Sequence, residues 1–135
     1  MPIQFSTSVR NARLDAIESN IGVSAIMRIR TGAAPANCAA ADSGTVVATL
    51  NLPSDWMAAA SGGTKSLLGT WQDASADATG TAGHFRVYDS TGTTCHIQGT
   101  VTATGGGGDM TVDNTSFASG QQFTVTTFTL TDANA

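Results

Sequence analysis

Apolar and polar residues alternate most regularly over residues 80–101. Such alternation is typical of strands that bury one face, and two strands are indicated here. A three-residue turn at residues 90–92 keeps the apolar positions opposite one another and places Gly92 where a left-handed residue is needed. We therefore predict a hairpin with one apolar and one polar face. Its predicted register pairs Val87 with Cys95, Phe85 with Ile97, and Arg86 with His96.

A helical pattern is clear only over residues 6–22. Ser6 or Ser8 can cap the first turn, and Gly22 is a natural left-handed end. An apolar stripe of this kind needs a partner, so the helix packs either on an open end of the β-structure or on a neighbouring subunit. The predicted organisation is a helical segment, residues 1–22, followed by a single β domain, residues 23–135. The stripe consists of Val9, Leu14, Ile17 and Ile21.

Shorter alternating segments predict further strands at residues 23–31, 45–52, 110–112 and 121–131. In the last of these the apolar positions change parity near Thr126 and Thr127, which indicates a bulge or a strand that bends from one sheet into another. Seven or eight short strands separated by turns are expected. The predicted fold is all-β: a two-sheet antiparallel sandwich, jelly-roll-like, with a short N-terminal helix.

The first strand and the segment after it contain candidate contact residues. Arg28 and Arg30 lie on the outer face of strand 23–31, where they either contact carboxylates of a partner or are simply solvated. The next segment, residues 32–44, is rich in small residues and has glycine at both ends. It is predicted to be a long surface loop, and loops of this length often bind partners.

Charge and apolar run length limit the classes of partner. The 135-residue chain has a net charge of −4 and only 12% charged residues. No basic patch is available to neutralise phosphates, so a nucleic-acid partner is not expected. The apolar runs are too short to cross a bilayer, and residues 1–5 lack the pattern of a secretory signal. We therefore expect a soluble protein made in the cytosol.

The two cysteines, Cys38 and Cys95, have two possible states. They can form one bridge if the loop that contains Cys38 folds back onto the hairpin. In a reducing compartment two free thiols are favoured, with Cys95 acting as a small apolar residue.

Catalytic and cofactor-binding patterns are weak in this sequence. His84 and His96 could supply two metal ligands, but no third ligand is placed beside them, and two ordinary histidines are favoured. We expect neither an enzyme nor a bound cofactor. Exposed aromatic residues would offer a surface for stacking sugars, although core positions are the more usual role. The aromatic candidates are Trp56, Trp71 and Tyr88.

Long blocks of the sequence resemble a family of small proteins encoded among the virion structural genes of tailed bacteriophages. They are RNARLDAIESNIG, RIRTGAAPANCAAADSG, LPSDWMAAASGG, ADATGTAGHFRVYDSTGTTCHIQGTVTATGGGGDMTVDN and FTVTTFTLTDANA. The resemblance implies a virion component, most plausibly a cement or decoration protein on the outside of the capsid. It also implies the major capsid protein as partner and a homo-oligomer, a dimer or trimer, as the assembly state.

We predict that the helix and the loop form the contacts to capsid or sister subunits. Deleting residues 1–22 should then abolish capsid binding and leave a soluble β domain. The alternative is a receptor- or glycan-binding module on the tail or neck, with Trp71 as a sugar contact. The predicted interface residues are Leu14, Ile17, Ile21, Arg28, Arg30, Pro35 and Asn37.

Overall fold

The computed structural model describes residues 2–134, which are mostly β-structure with one helix. This confirms a β-rich fold with an N-terminal helix. The elements are α1 (Thr7–Ile21), β1 (Ile26–Thr31), β2 (Val46–Asn51), β3 (Thr64–Ser66), β4 (Trp71–Asp73), β5 (Gly80–Tyr88), β6 (Cys95–Ala103), β7 (Met110–Val112), β8 (Ser116–Phe117), β9 (Phe123–Val125) and β10 (Thr129–Thr131).

The largest sheet has the strand order β2-β1-β5-β6-β7, and β8 pairs with the beginning of β5. Its pairings are antiparallel except that β6 and β7 run parallel. The glycine-rich loop between these two strands doubles back, with Gly108 donating its backbone N–H to Thr102 Oγ1 at 3.0 Å. The sheet is therefore mixed, which corrects the prediction of a purely antiparallel architecture.

The β5–β6 hairpin forms as predicted but with a different register. Val87 pairs with Ile97, and Tyr88 pairs with Cys95, so the register shifts by one residue between the two pairs. The turn is one residue longer than predicted, because the N–H of Asp89 donates to the carbonyl of Thr94 and Tyr88 pairs with Cys95. His96 is the extra residue of the bulge, which then places Val87 opposite Ile97. Gly92 does adopt the predicted left-handed conformation, with φ +70°. The predicted pairing was wrong because the longer turn and the bulge together shift it by two residues, which leaves the alternation of apolar and polar positions unchanged.

Two short ribbons, β3–β10 and β4–β9, supply further parts of the core. The chain passes from one ribbon to the other between Val125 and Thr129, which confirms the strand change predicted from the parity switch. Phe128, at this crossing, lies 5.1 Å from Trp71 and 5.8 Å from Phe85 of the large sheet, measured between ring centroids. The aromatic contacts thus join a ribbon to the apolar face of the large sheet.

Helix α1 begins and ends as the sequence predicts. Ser6 is the N-cap, its hydroxyl accepting from the backbone N–H of Val9, and Gly22 ends the helix with φ +91°. The apolar stripe, however, packs on this chain: Leu14 is 3% exposed and Ile21 is 7% exposed. Val9 falls outside the buried stripe.

This packing corrects the predicted role of the helix in an interface. Leu14 and Ile21 are buried inside the chain, and Ile17 packs against the same core, so these side chains are not a free surface for a partner. The polar face of the helix is also engaged. Lys65 of β3 is buried, and its ammonium lies 2.7 Å from Asp15 and 2.9 Å from Glu18.

Candidate binding surface: a loop anchored on the outer face of the sheet

The polar face of the large sheet is covered rather than solvated. Arg30 is 8% exposed, Arg86 is 1% exposed and His84 is fully buried. The cover is the segment 32–44, which we call the anchored loop, together with the β5–β6 turn. The prediction of a polar outer face exposed to solvent was therefore wrong for these three side chains, although they do share one face of the sheet.

The two ends of the anchored loop are held together by backbone geometry. The N–H of Thr31 donates to the carbonyl of Thr45 at 3.0 Å, and the N–H of Thr45 donates to the hydroxyl of Thr31 at 2.9 Å. Gly44 has φ +70°, and a Cβ there would lie 2.0 Å from the carbonyl oxygen of Thr31. Only glycine fits this position, since any side chain would clash with the backbone.

Arg86 holds the middle of the anchored loop. Its Nη2 donates to the carbonyl of Cys38 at 2.8 Å, and both terminal nitrogens donate to the carbonyl of Ala40 at 3.2 Å. Its Nη1 also forms an ion pair with Asp42, and its Nε donates to Cys95 Sγ at 3.1 Å. A planar guanidinium with five donors is suited to this task because it can satisfy several acceptors at once.

Asp42 is the one carboxylate of this cluster, and it receives three donors. Arg30 Nη2 lies 2.8 Å from Oδ2, the Tyr88 hydroxyl donates to Oδ1 at 2.6 Å, and Arg86 pairs with Oδ1 as well. Partial burial raises the pKa of Asp42, but the hydrogen bond from Tyr88 and the charges of Arg30 and Arg86 outweigh it, so the pKa is lowered. Asp42 therefore ties the loop to the sheet as a carboxylate.

Three further contacts surround this centre. His84 Nδ1 lies 2.9 Å from the carbonyl of Gly32 and so donates to it. Gln98 of β6 donates to the carbonyl of Pro35 at 2.7 Å. Arg28 donates to the carbonyl of Gly92 at 2.9 Å and lies over the ring of Tyr88, 4.8 Å from its centroid. Arg28 thus holds the neighbouring turn, while the loop itself is fixed by side chains from three strands, with Arg30 on β1, His84 and Arg86 on β5, and Gln98 on β6.

The lowered pKa of Asp42 predicts a specific acid sensitivity. A carboxylate whose pKa is lower in the folded than in the unfolded state contributes stability at neutral pH, and that contribution is lost as the pH falls through both values. We expect the free energy of unfolding of the wild type to decline below about pH 5. The free energy of unfolding of Asp42→Asn should decline less steeply over the same range. Urea unfolding at a series of pH values measures both slopes. Identical slopes would contradict this role of Asp42.

The exposed part of the loop is a crest of short side chains on this fixed backbone. Among the predicted contact residues, Asn37 is exposed on the crest and Pro35 is half-buried beside it. Asn37 also shapes the crest, because its Oδ1 accepts from the N–H groups of Ala39 and Ala40 at 3.0 Å. The crest consists of Ala36, Asn37, Ala39 and Ala41.

The other predicted contact residues lie elsewhere. Arg30 is bound internally to Asp42, and Arg28 is half-buried against Tyr88, so neither arginine is free on an outer surface. Sequence reasoning missed Arg86, Asp42 and Gln98 as the residues that fix the loop. One signal in the sequence could have indicated these residues. Several basic side chains share one strand face, and any segment that covers them must supply hydrogen-bond acceptors.

Trp71 is not a sugar-stacking residue. It is fully buried, and its Nε1 donates to the carbonyls of Trp56 and Leu68 at 3.1 and 3.2 Å. Trp56 and Tyr88 are buried as well. The aromatic surface on which the glycan-binding alternative depended is therefore part of the core and of the sheet's covered face.

Neither a metal site nor a membrane-spanning helix is found over residues 2–134. No group of three or more His, Cys, Asp or Glu side chains is placed to hold a metal ion there. His84 is instead covered by the loop, and His96 is the bulge residue of β6. In the same part of the chain, no helix has both the length and the apolar character needed to cross a membrane.

Comparisons with protein-family models, with curated proteins and with solved structures found no match to this chain. The resemblance to phage virion proteins consequently stays a prediction from the sequence.

Proposed function

We propose that this chain is a bacteriophage virion structural protein. In this proposal it acts as a non-catalytic cement or decoration protein on the capsid exterior, where it binds and stabilises the lattice of the major capsid protein. The proposal rests on the sequence resemblance and on one structural observation, the loop whose backbone is fixed on the sheet by Arg86, Asp42 and Gln98.

The anchored loop supports a binding role through its conformational order. A loop that is already held in one conformation loses little entropy when it binds, so a modest contact area can still give useful affinity. Short side chains along the crest allow the backbone of the loop to approach a partner closely. On a lattice, many such contacts act together, and avidity adds to the weak single contact.

A second surface supports the proposed homo-oligomer. Ile3 is 82% exposed, Phe5 is 45% exposed and Val9 is 44% exposed, and all three lie at the N-terminal end of the chain. Exposed apolar residues grouped in this way are typical of subunit contacts. In the proposal they replace the buried helix stripe as the site where a sister subunit packs.

The finer fold assignment, a jelly-roll-like two-sheet sandwich, belongs to the same proposal. It is supported by the two ribbons: Trp71 and Phe123 of β4–β9 belong to the same core as the large sheet, and Leu130 of β3–β10 packs against that core.

The loop contact is tested by adding a large charged side chain to the crest. We expect Ala36→Arg to reduce binding of the purified protein to capsids that lack it by at least tenfold, because the arginine would hold the surfaces apart. Thr111→Arg, at an exposed position on β7, is the matched control and should bind as the wild type does. Co-sedimentation with capsids measures both. Equal binding by the two variants would show that the loop is not the contact.

A further inference from the structure

The anchored loop brings the two cysteines of the chain to the same guanidinium. Arg86 Nε donates to Cys95 Sγ at 3.1 Å, and Arg86 Nη2 donates to the carbonyl of Cys38 at 2.8 Å. The loop has thus folded back onto the hairpin, which is the condition for pairing that the sequence left open. Both residues are half-buried, and both are free thiols in this structure.

The surroundings of Cys95 also include the side chain of Cys38. Burial raises the pKa of the Cys95 thiol, Arg86 opposes the rise, and the side chain of Cys38 adds to it. The Cys95 thiol donates to the carbonyl of Ile97 at 3.3 Å, so its sulfur already has a fixed position. Two cysteines held at the same guanidinium by a rigid scaffold have a high effective concentration toward each other.

We propose that Cys38 and Cys95 form an intramolecular disulfide when the folded protein meets a low-molecular-weight disulfide such as oxidised glutathione. The bond would fasten the anchored loop covalently to β6. This inference rests on the geometry around Arg86 and does not depend on the proposed function.

The reaction is ordinary thiol–disulfide exchange and balances with that oxidant. One cysteine, as its thiolate, attacks a sulfur of oxidised glutathione, forms a mixed disulfide and releases one glutathione thiolate. The other cysteine, as its thiolate, attacks the protein sulfur of the mixed disulfide and releases the second glutathione. The protein gives up two protons and two electrons, and two molecules of reduced glutathione result.

The disulfide should add stability without a change of fold. The bond would enclose residues 38–95, and the constraint on the unfolded chain grows with the length of the enclosed segment. The loop is already ordered by Arg86 and Asp42, so little native-state ordering remains to be lost. We expect oxidation to raise Tm by roughly 5–10 °C.

The test uses the full chain, incubated in its native state with oxidised glutathione, quenched by alkylation and digested with trypsin without reduction. We expect peptides 31–65 and 87–135 to be joined, an intact mass lower by two hydrogens, and no cross-linked dimer. The equilibrium constant for forming the bond should be at least tenfold higher in native protein than in urea. Cys38→Ser is the control: it should yield no joined peptides and no rise in Tm on oxidation.

Three results would overturn the inference. The first is that both thiols stay open to alkylation at excess oxidised glutathione, and the second is that each carries only a glutathione adduct. Equal equilibrium constants in native and urea-unfolded protein would show that the fold does not bring the two sulfurs together.

Discussion

Replacing Arg86 with methionine is expected to destabilise the protein by about 3–5 kcal/mol, the range for removing one partner of a buried charge network. The substitution keeps most of the side-chain volume but removes every donor that Arg86 supplies to the loop. The carbonyls of Cys38 and Ala40 lose their partner, and Asp42 loses one of its two arginines. Some of the loss will be recovered because the freed loop can reach water.

Arg28→Met is the matched control for this prediction. Arg28 lies opposite Arg86 on the neighbouring strand but is only half-buried and donates to one backbone carbonyl. We expect it to cost about 1 kcal/mol. Urea unfolding gives both free energies, and hydrogen exchange should show faster exchange at Ala39 and Ala40 in Arg86→Met only. Equal losses in the two variants would contradict the central role of Arg86.

Deleting residues 1–22 is expected to abolish cooperative folding rather than to leave a soluble β domain. The deletion removes Leu14 and Ile21 from the core, each worth about 2–5 kcal/mol by analogy with large-to-small core substitutions. It also leaves the buried ammonium of Lys65 without Asp15 and Glu18. The summed loss is comparable to the whole stability of a typical domain, about 5–15 kcal/mol.

Deletion of residues 1–5 alone serves as the control for this truncation. It removes exposed Ile3 and the backbone bonds of Phe5 to Asn134, and all of residues 2–5 are exposed. We expect a cooperative thermal transition close to that of the full chain. Thermal unfolding of both deletions is measured by circular dichroism. A sharp thermal transition for the protein without residues 1–22 would show that the β domain folds independently of the helix.

The local features of this fold were predictable because they have local causes. The helix and its caps depend on Ser6 and Gly22, which act within one turn of themselves. The parity change near Thr126 was visible because it alters which residues of one strand can be buried together. The left-handed conformation of Gly92 follows from the turn chemistry of its own neighbours.

What the sequence could not show depends on contacts between distant segments. Arg86 looks like an ordinary outward residue of an alternating strand, and only the path of residues 32–44 makes it the centre of a buried network. The burial of Trp71 could not be read from the alternation of residues either, since a three-residue strand shows no period. The predicted hairpin register was wrong because the extra turn residue and the bulge at His96 together shift the pairing by two residues, and a shift of two leaves the alternation unchanged.

Only part of the candidate surface could be predicted, because the rest depends on contacts between distant segments. Composition and length identified residues 32–44 as a loop with Pro35 and Asn37 on it, and the structure keeps those residues at or near the crest. The apolar stripe of the helix, by contrast, is covered by other residues of the same chain and not by a partner. An amphipathic pattern specifies that a face must be covered, but it does not specify by what.

The copy number of this protein relative to the major capsid protein, measured by quantitative mass spectrometry of purified virions, tests the proposed function most directly. The account predicts a ratio close to one, or a simple fraction of one, because a cement protein follows the symmetry of the lattice it binds. A handful of copies per particle would contradict the account and indicate a neck or tail component.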